Sequence, residues 1–128
     1  EQIYFGNSQF FKEQLLERVH QKKEKLNVVI LSSGGINYID SSGMKILNEI
    51  ISILKSKNIK FYMAGAIGPV MDSLFKSGVA KAIGGQHFFA NTQQAFSYFL
   101  NKNPKNKIEK KISLQANTEI TLLPLISN

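Results

Sequence analysis

Ile39-Asp40-Ser41-Ser42-Gly43 stands between two segments of different periodicity. Before it, Val28-Val29-Ile30-Leu31 is apolar at every position, the pattern of a strand buried on both faces. After it, Met44, Leu47, Ile51 and Leu54 recur at helical spacing, and Ile46, Ile50 and Ile53 widen the apolar face. The short stretch is thus a strand-to-helix junction. Asp40 or Ser41 is placed to offer a side-chain oxygen to the free amides of the first helical turn, and Ser42 falls just inside it. A serine there has two readings. It is part of an ordinary cap, or it is a phosphorylatable hydroxyl whose added anion would meet unpaired amides and Lys45, one turn on. The surplus isoleucines also have two: cover by the sheet and a neighbouring helix, or a docking face for a partner.

Upstream, Ile3-Tyr4-Phe5 is a β-prone run that stops at Gly6-Asn7-Ser8. Phe11, Leu15 and Val19 then line one face of a helix whose other face carries Lys12, Glu13, Glu17 and Arg18, with Asn7 or Ser8 as its cap. Lys22, Lys23 and Lys25 close that helix, where a carboxyl end favours cations. Downstream, Ile59-Lys60-Phe61-Tyr62-Met63-Ala64 predicts the next strand. Gly68-Pro69 starts a short helix buried through Val70, Met71, Leu74 and Phe75 and ended by Gly78. Phe88-Phe89 reads as a brief strand, and Asn91 with Gln94 as the capped start of a helix holding Ala95, Phe96, Phe99 and Leu100. Strands and helices alternating in this way give an α/β fold, a mainly parallel open sheet with right-handed helical crossovers.

Composition narrows the function. With 128 residues, 43% of them apolar, the chain is sized for one domain plus a tail, divided here as 1–100 and 101–128. It has no cysteine, which excludes thiol chemistry and fits the cytoplasm, and no apolar run approaches the roughly 18 residues of a membrane span. It begins on Glu1 and reads as a piece of a longer chain. Residues 1–100 carry eleven Lys/Arg against seven Asp/Glu, so the net charge of +7 leaves the domain itself only mildly basic. The phenylalanines sit at buried-type positions and the lysines are scattered, which argues against nucleic acid and for a membrane-proximal surface or an acidic partner. His20 and His87 lack metal-ligand spacing, and Gly34-Gly35 lacks the pattern of a phosphate loop. Asp40 and Asp72 are the only aspartates, and neither a triad nor a carboxylate pair can be assembled around them. A protein that is not an enzyme, with no cofactor and no metal, is expected.

Ile39-Asp40-Ser41-Ser42-Gly43-Met44 with Leu47 resembles the signature of the STAS domain, shared by anti-sigma factor antagonists and the cytoplasmic tails of SulP anion transporters. Tyr4-Phe5-Gly6-Asn7-Ser8-Gln9-Phe10-Phe11 resembles the Phe-x-Asn-x-x-x-Phe segment of the SulP subfamily through Phe5, Asn7 and Phe11, and Gly68-Pro69-Val70 resembles its later helix start. The resemblance implies a regulatory and interaction domain at the cytoplasmic face of a SulP-type transporter of sulfate, bicarbonate or a related anion. Its obligatory neighbour is then its own transmembrane domain, and Asp40, Ser41, Ser42, Gly43 and Lys45 form the regulatory site, with Ser42 at the position phosphorylated in the antagonists and Ser41 as cap. An acidic cytosolic regulatory protein and a second copy are further candidate partners. The alternative is a freestanding antagonist switched by phosphorylation of Ser42. Hydrophobic spans upstream of Glu1 would mark the transporter, and an initiator methionine within a few dozen residues the antagonist.

The same resemblance implies a further strand before Ile3-Tyr4-Phe5 that this chain starts too late to supply in full, leaving an open sheet edge. Residues 101 to 111 read as a basic linker, and Ile112 to Leu123 holds β-prone runs that the resemblance does not explain. Three fates are open to that tail: a strand on its own sheet edge, a strand on a second copy that makes a homodimer, or an unordered passenger.

Overall fold

The structure, a computed structural model, describes residues 8–20, 26–102, 106–108 and 119–127. In chain order the elements are α1 (Ser8–His20), β1 (Leu26–Ser32), α2 (Ser41–Ser56), β2 (Lys60–Ala64), α3 (Gly68–Ser77), α4 (Val79–Ile83), β3 (Phe88–Phe89), α5 (Thr92–Lys102), β4 (Asn106–Ile108) and β5 (Glu119–Ser127). A 3-10 turn at Gly85–His87 leads into β3. The sheet order is β3-β2-β1-β5-β4. β1, β2 and β3 are parallel, and β5 and β4 are added antiparallel at the far edge of β1.

Val28, Val29, Ile30 and Leu31 are all buried because β1 is covered on both faces and flanked on both edges. The two-residue period of a strand sorts its side chains. Val29 and Leu31 join Phe61 and Met63 in a layer closed by Leu15 of α1, Leu47 and Leu54 of α2, Leu74 of α3 and Ala80 of α4. Val28 and Ile30 join Tyr62 and Ala64 on the opposite face, under Ala95 and Phe99 of α5. Hence four helices cover one side of the sheet and α5 covers the other.

Most of the apolar surplus of α2 is covered: Ile50 is buried and Ile46 packs against the core, while Ile53 is half-buried and Lys45, Asn48 and Ser52 lie outside. Of the two readings, packing is the one the geometry holds for Ile46 and Ile50. Lys12 of α1 donates to Glu49 of α2 at 2.9 Å, and that bond holds the Glu49 carboxyl below its ordinary range.

Two details position the loops where the parallel strands finish. Ser33 is fully buried, and both its amide and its hydroxyl donate to the Ala64 carbonyl at 2.8 Å, fastening the loop after β1 to the end of β2. Gly65 follows at φ +79°, and a Cβ there would lie 3.3 Å from the Gly34 amide nitrogen, so the two loops meet at a place that favours glycine in both conformation and space.

The tail is part of the sheet. β5 pairs with β1 from Ser32↔Glu119 to Leu26↔Pro124, and β4 pairs with the end of β5. The register shifts between Leu26 and Val28, opposite Pro124, which suits a residue with no amide hydrogen to give the ladder. Of the three fates expected for the tail, the structure holds the strand on its own sheet.

Candidate functional site

The amino end of α2 is built from its cap outward. Asp40 is extended, at φ −78° and ψ 176°, and its Oδ1 accepts from the Gly43 amide at 2.7 Å while its carbonyl accepts from Met44 at 2.8 Å. Asp40 is therefore the N-cap. Ser41, expected from the resemblance to cap, is instead the first residue of the helix. The physical reason is reach: a carboxylate at the extended position bonds the amide three residues on, and the helix then starts at the next residue. Ile39 and Met44 are buried on either side and hold the turn down, whereas Ser41, Ser42 and Lys45 are exposed. The hydroxyls of both serines thus stand in solvent at a positive helix end, beside a lysine.

Beside this turn lies a groove of about 390 Å³ lined by Asp40, Ser41, Met44 and Lys45 on one wall and Ser77 and Val79 on the other. The second wall exists because Gly78, at φ 84°, ends α3 and lets α4 begin at once. Ser77 donates to the Leu74 carbonyl at 3.1 Å and accepts from the Val79 amide at 3.4 Å, which fixes the corner.

Tyr38, Ile67 and Phe75 are large apolar residues left 49%, 41% and 63% exposed. Tyr38 precedes the α2 cap and Ile67 caps α3, so the loops after β1 and β2 carry these two to the same end of the sheet as Ser42, while Phe75 lies on the outer side of α3. Ligand and partner sites of open α/β sheets gather at this carboxyl end of the strands. Phe75 corrects the sequence reading, which buried it. It lies next to Leu74, which fills the core, and the helix turns it outward. Such exposed residues carry no sequence signal of their own, because apolar spacing does not distinguish a core contact from an unpartnered one.

The other site residues divide. Gly68 and Pro69 form the exposed first turn of α3, at the same end as Asp40 to Lys45. Phe11 belongs to α1, away from this turn in the chain. Tyr4, Phe5 and Asn7 lie outside the described residues. Among the described residues no group of three or more His, Cys, Asp or Glu is arranged to hold a metal, and no helix is long and apolar enough to cross a membrane. Asp40 is engaged by the Gly43 amide. The end presents two exposed serines, a lysine and a shallow groove, with Tyr38 and Ile67 exposed in the adjoining loops.

Comparison with known proteins agrees with this architecture. A family model described as the STAS domain matches residues 1–95. A relative named "Probable sulfate transporter 3.5", of Arabidopsis thaliana, is 30% identical over 93 residues, which is 73% of this chain and 15% of that protein. The chain therefore spans only a small part of the curated relatives it matches. Among solved structures, the STAS domain of a SulP transporter from Vibrio cholerae superposes with a TM-score of 0.67 at 24% identity, covering 78% of this chain and 75% of that one. The murine anion transporter Slc26a9 in its inward-facing state gives 0.63 at 21% identity, covering 74% of this chain and 16% of that one. At these identities the structural likenesses speak for the fold.

Proposed function

The chain belongs to the STAS domain family, and from that premise we propose that it is the regulatory and interaction domain at the cytoplasmic face of a SulP-type anion transporter. In this reading it docks through the amino end of α2. The observation that carries the docking surface is the capped, exposed Ser41-Ser42 turn beside its groove, with Tyr38 and Ile67 exposed in the loops at the same end of the sheet. Exposed apolar residues beside polar groups are how recognition surfaces are commonly built. The transmembrane domain of the same transporter is its neighbour, and the occupant of this turn is a cytosolic regulatory protein, whose binding a phosphate on Ser42 would alter. The alternative of a freestanding antagonist is not favoured, since the curated relative reported above is named as a sulfate transporter.

The test uses the intact transporter that carries this domain, with Ser42→Asp and, separately, Tyr38→Ser. Anion uptake should change several-fold in each, while the melting temperature of the isolated domain stays within about 2 °C, because both side chains are exposed. Uptake unaltered by both variants would sink the docking surface. A large loss of stability would identify packing residues instead.

A further inference from the structure

The end of the domain opposite Ser42 is a lysine pole. Lys60 opens β2 beside Val28 at the start of β1, and Lys55 and Lys57 close α2 just above it. Lys81 lies on α4 and Lys102 ends α5. All five are exposed. Two adjoining cavities share Lys60: one of about 390 Å³ is also lined by Lys55 and Lys81, and one of about 410 Å³ by Lys102, Tyr98 and His87. Lys102 lies over the Tyr98 ring at 5.5 Å. Among the described residues the ion pair formed is Lys12–Glu49, and no carboxylate lines either cavity.

Helix carboxyl ends account for part of this pattern. They favour Lys55, Lys81 and Lys102 one by one. They do not account for Lys60, which opens a strand, or for the lack of any acidic residue among them. Each helix end supplies only about half a negative charge, so five ammonium groups leave the pole strongly positive. The strand β4, which carries Lys107, also lies at this end, past the start of β1 by register.

We propose that this pole seats on the anionic headgroups of a membrane surface. The type of cation selects the occupant. Arg18 is the only arginine of the chain, and the pole is built from lysines. Lysine is a mobile point charge suited to a diffuse layer of phosphates, whereas tight reading of a phosphopeptide or a nucleic acid favours the planar fork of arginine. Each lysine near an anionic surface contributes roughly a five-fold gain in affinity at physiological salt. The choice of a membrane rests on the transporter reading above. The experiment below uses the free domain and measures no transport, so either proposal can fail alone.

The present chain is sedimented with phosphatidylcholine vesicles containing phosphatidylserine, and with vesicles of phosphatidylcholine alone. Binding is expected only to the first, weakening steeply as salt rises. The double variant Lys60→Gln/Lys81→Gln should lose about 25-fold in affinity, and the charge-matched Lys12→Gln/Lys76→Gln, away from the pole, at most about 3-fold. Equal losses in both would overturn the pole in favour of net charge alone. Absence of binding to the anionic vesicles would overturn it too. Inorganic phosphate that displaces the protein at matched ionic strength would identify a small-anion pocket instead. Tighter binding to single-stranded RNA than to vesicles at the same salt would make the partner a nucleic acid.

Discussion

At the scale of single residues, Asp40 and Tyr62 carry opposite kinds of information. Asp40 acts through one bond, to the Gly43 amide, so Asp40→Ala should cost about 1 kcal/mol and lower the melting temperature by roughly 3–5 °C while leaving the fold intact. A loss beyond the range of a cap would mean that Asp40 also braces the groove. That Asp40 rather than Ser41 caps was not legible in the sequence, since both residue types cap well and only the backbone at the junction chooses between them. Tyr62 is buried among His87, Phe89, Tyr98 and Phe99, with ring centroids 4.9 to 6.3 Å away. Burial, with a smaller contribution from Tyr98, pushes its phenol from 10.0 up to about 12. The folded state thus holds a proton that the unfolded chain has released. This stabilisation is fully present below pH 10 and is lost as pH rises through about 12. Tyr62→Phe removes the titrating group, so urea midpoints taken at pH 8 and pH 11 should fall less in the variant than in the parent. Equal declines would show that other groups, the lysines first among them, set the alkaline limit.

At the scale of elements, legibility followed the length and strength of pattern. β1 and α2 were readable because an unbroken apolar run and a sustained helical period each admit few alternatives. Asn91 and Gln94 were readable as a cap, and the Gln94 amide does donate to Asn91 Oδ1 at 2.8 Å. α4 was not readable. It is a five-residue helix after a left-handed glycine, and such a short helix is held by packing of Val79, Ala80 and Ile83 on the core rather than by its own propensity. The tail was half readable: its β-prone residues were visible, but its weak alternation did not say which edge it would join. β5 makes a sharp prediction. Among the described residues only β1 is paired with it along 119–124, and alternate residues of an antiparallel strand face their bonds to opposite sides. Of Thr121→Pro and Leu122→Pro, one must remove a bond to β1 and cost about 1–3 kcal/mol, and the other should cost far less. Denaturation midpoints of the two variants read this directly, and equal, negligible costs would show that β5 contributes nothing to stability.

At the scale of the whole molecule, the domain has two unlike ends and one managed edge. The ends follow from parallel β1, β2 and β3: the amino ends of α2 and α3, Ser41, Ser42, Tyr38 and Ile67 lie where the strands finish, and the lysine pole where they start. The edge concerns β1. Its far side would present a row of unpaired amides and carbonyls, and the chain covers it with its own β5. A second copy cannot add a strand to β1 while β5 is there, so dimerisation by this route requires the tail to leave. Deleting residues 104–128 removes β4 and β5 together and should therefore have two linked effects. The melting temperature should fall by roughly 5 °C or more as the ladder to β1 is lost, since even one to two kcal/mol is felt in a domain of this size. The exposed edge should also make the protein self-associate, seen as a concentration-dependent shift to dimer in sedimentation velocity that the full chain does not show. A truncated chain that melts lower yet stays monomeric would separate the tail's stabilising role from its covering role. One that melts at the parent temperature as a monomer would show that β5 is dispensable and that the β1 edge is protected by other means.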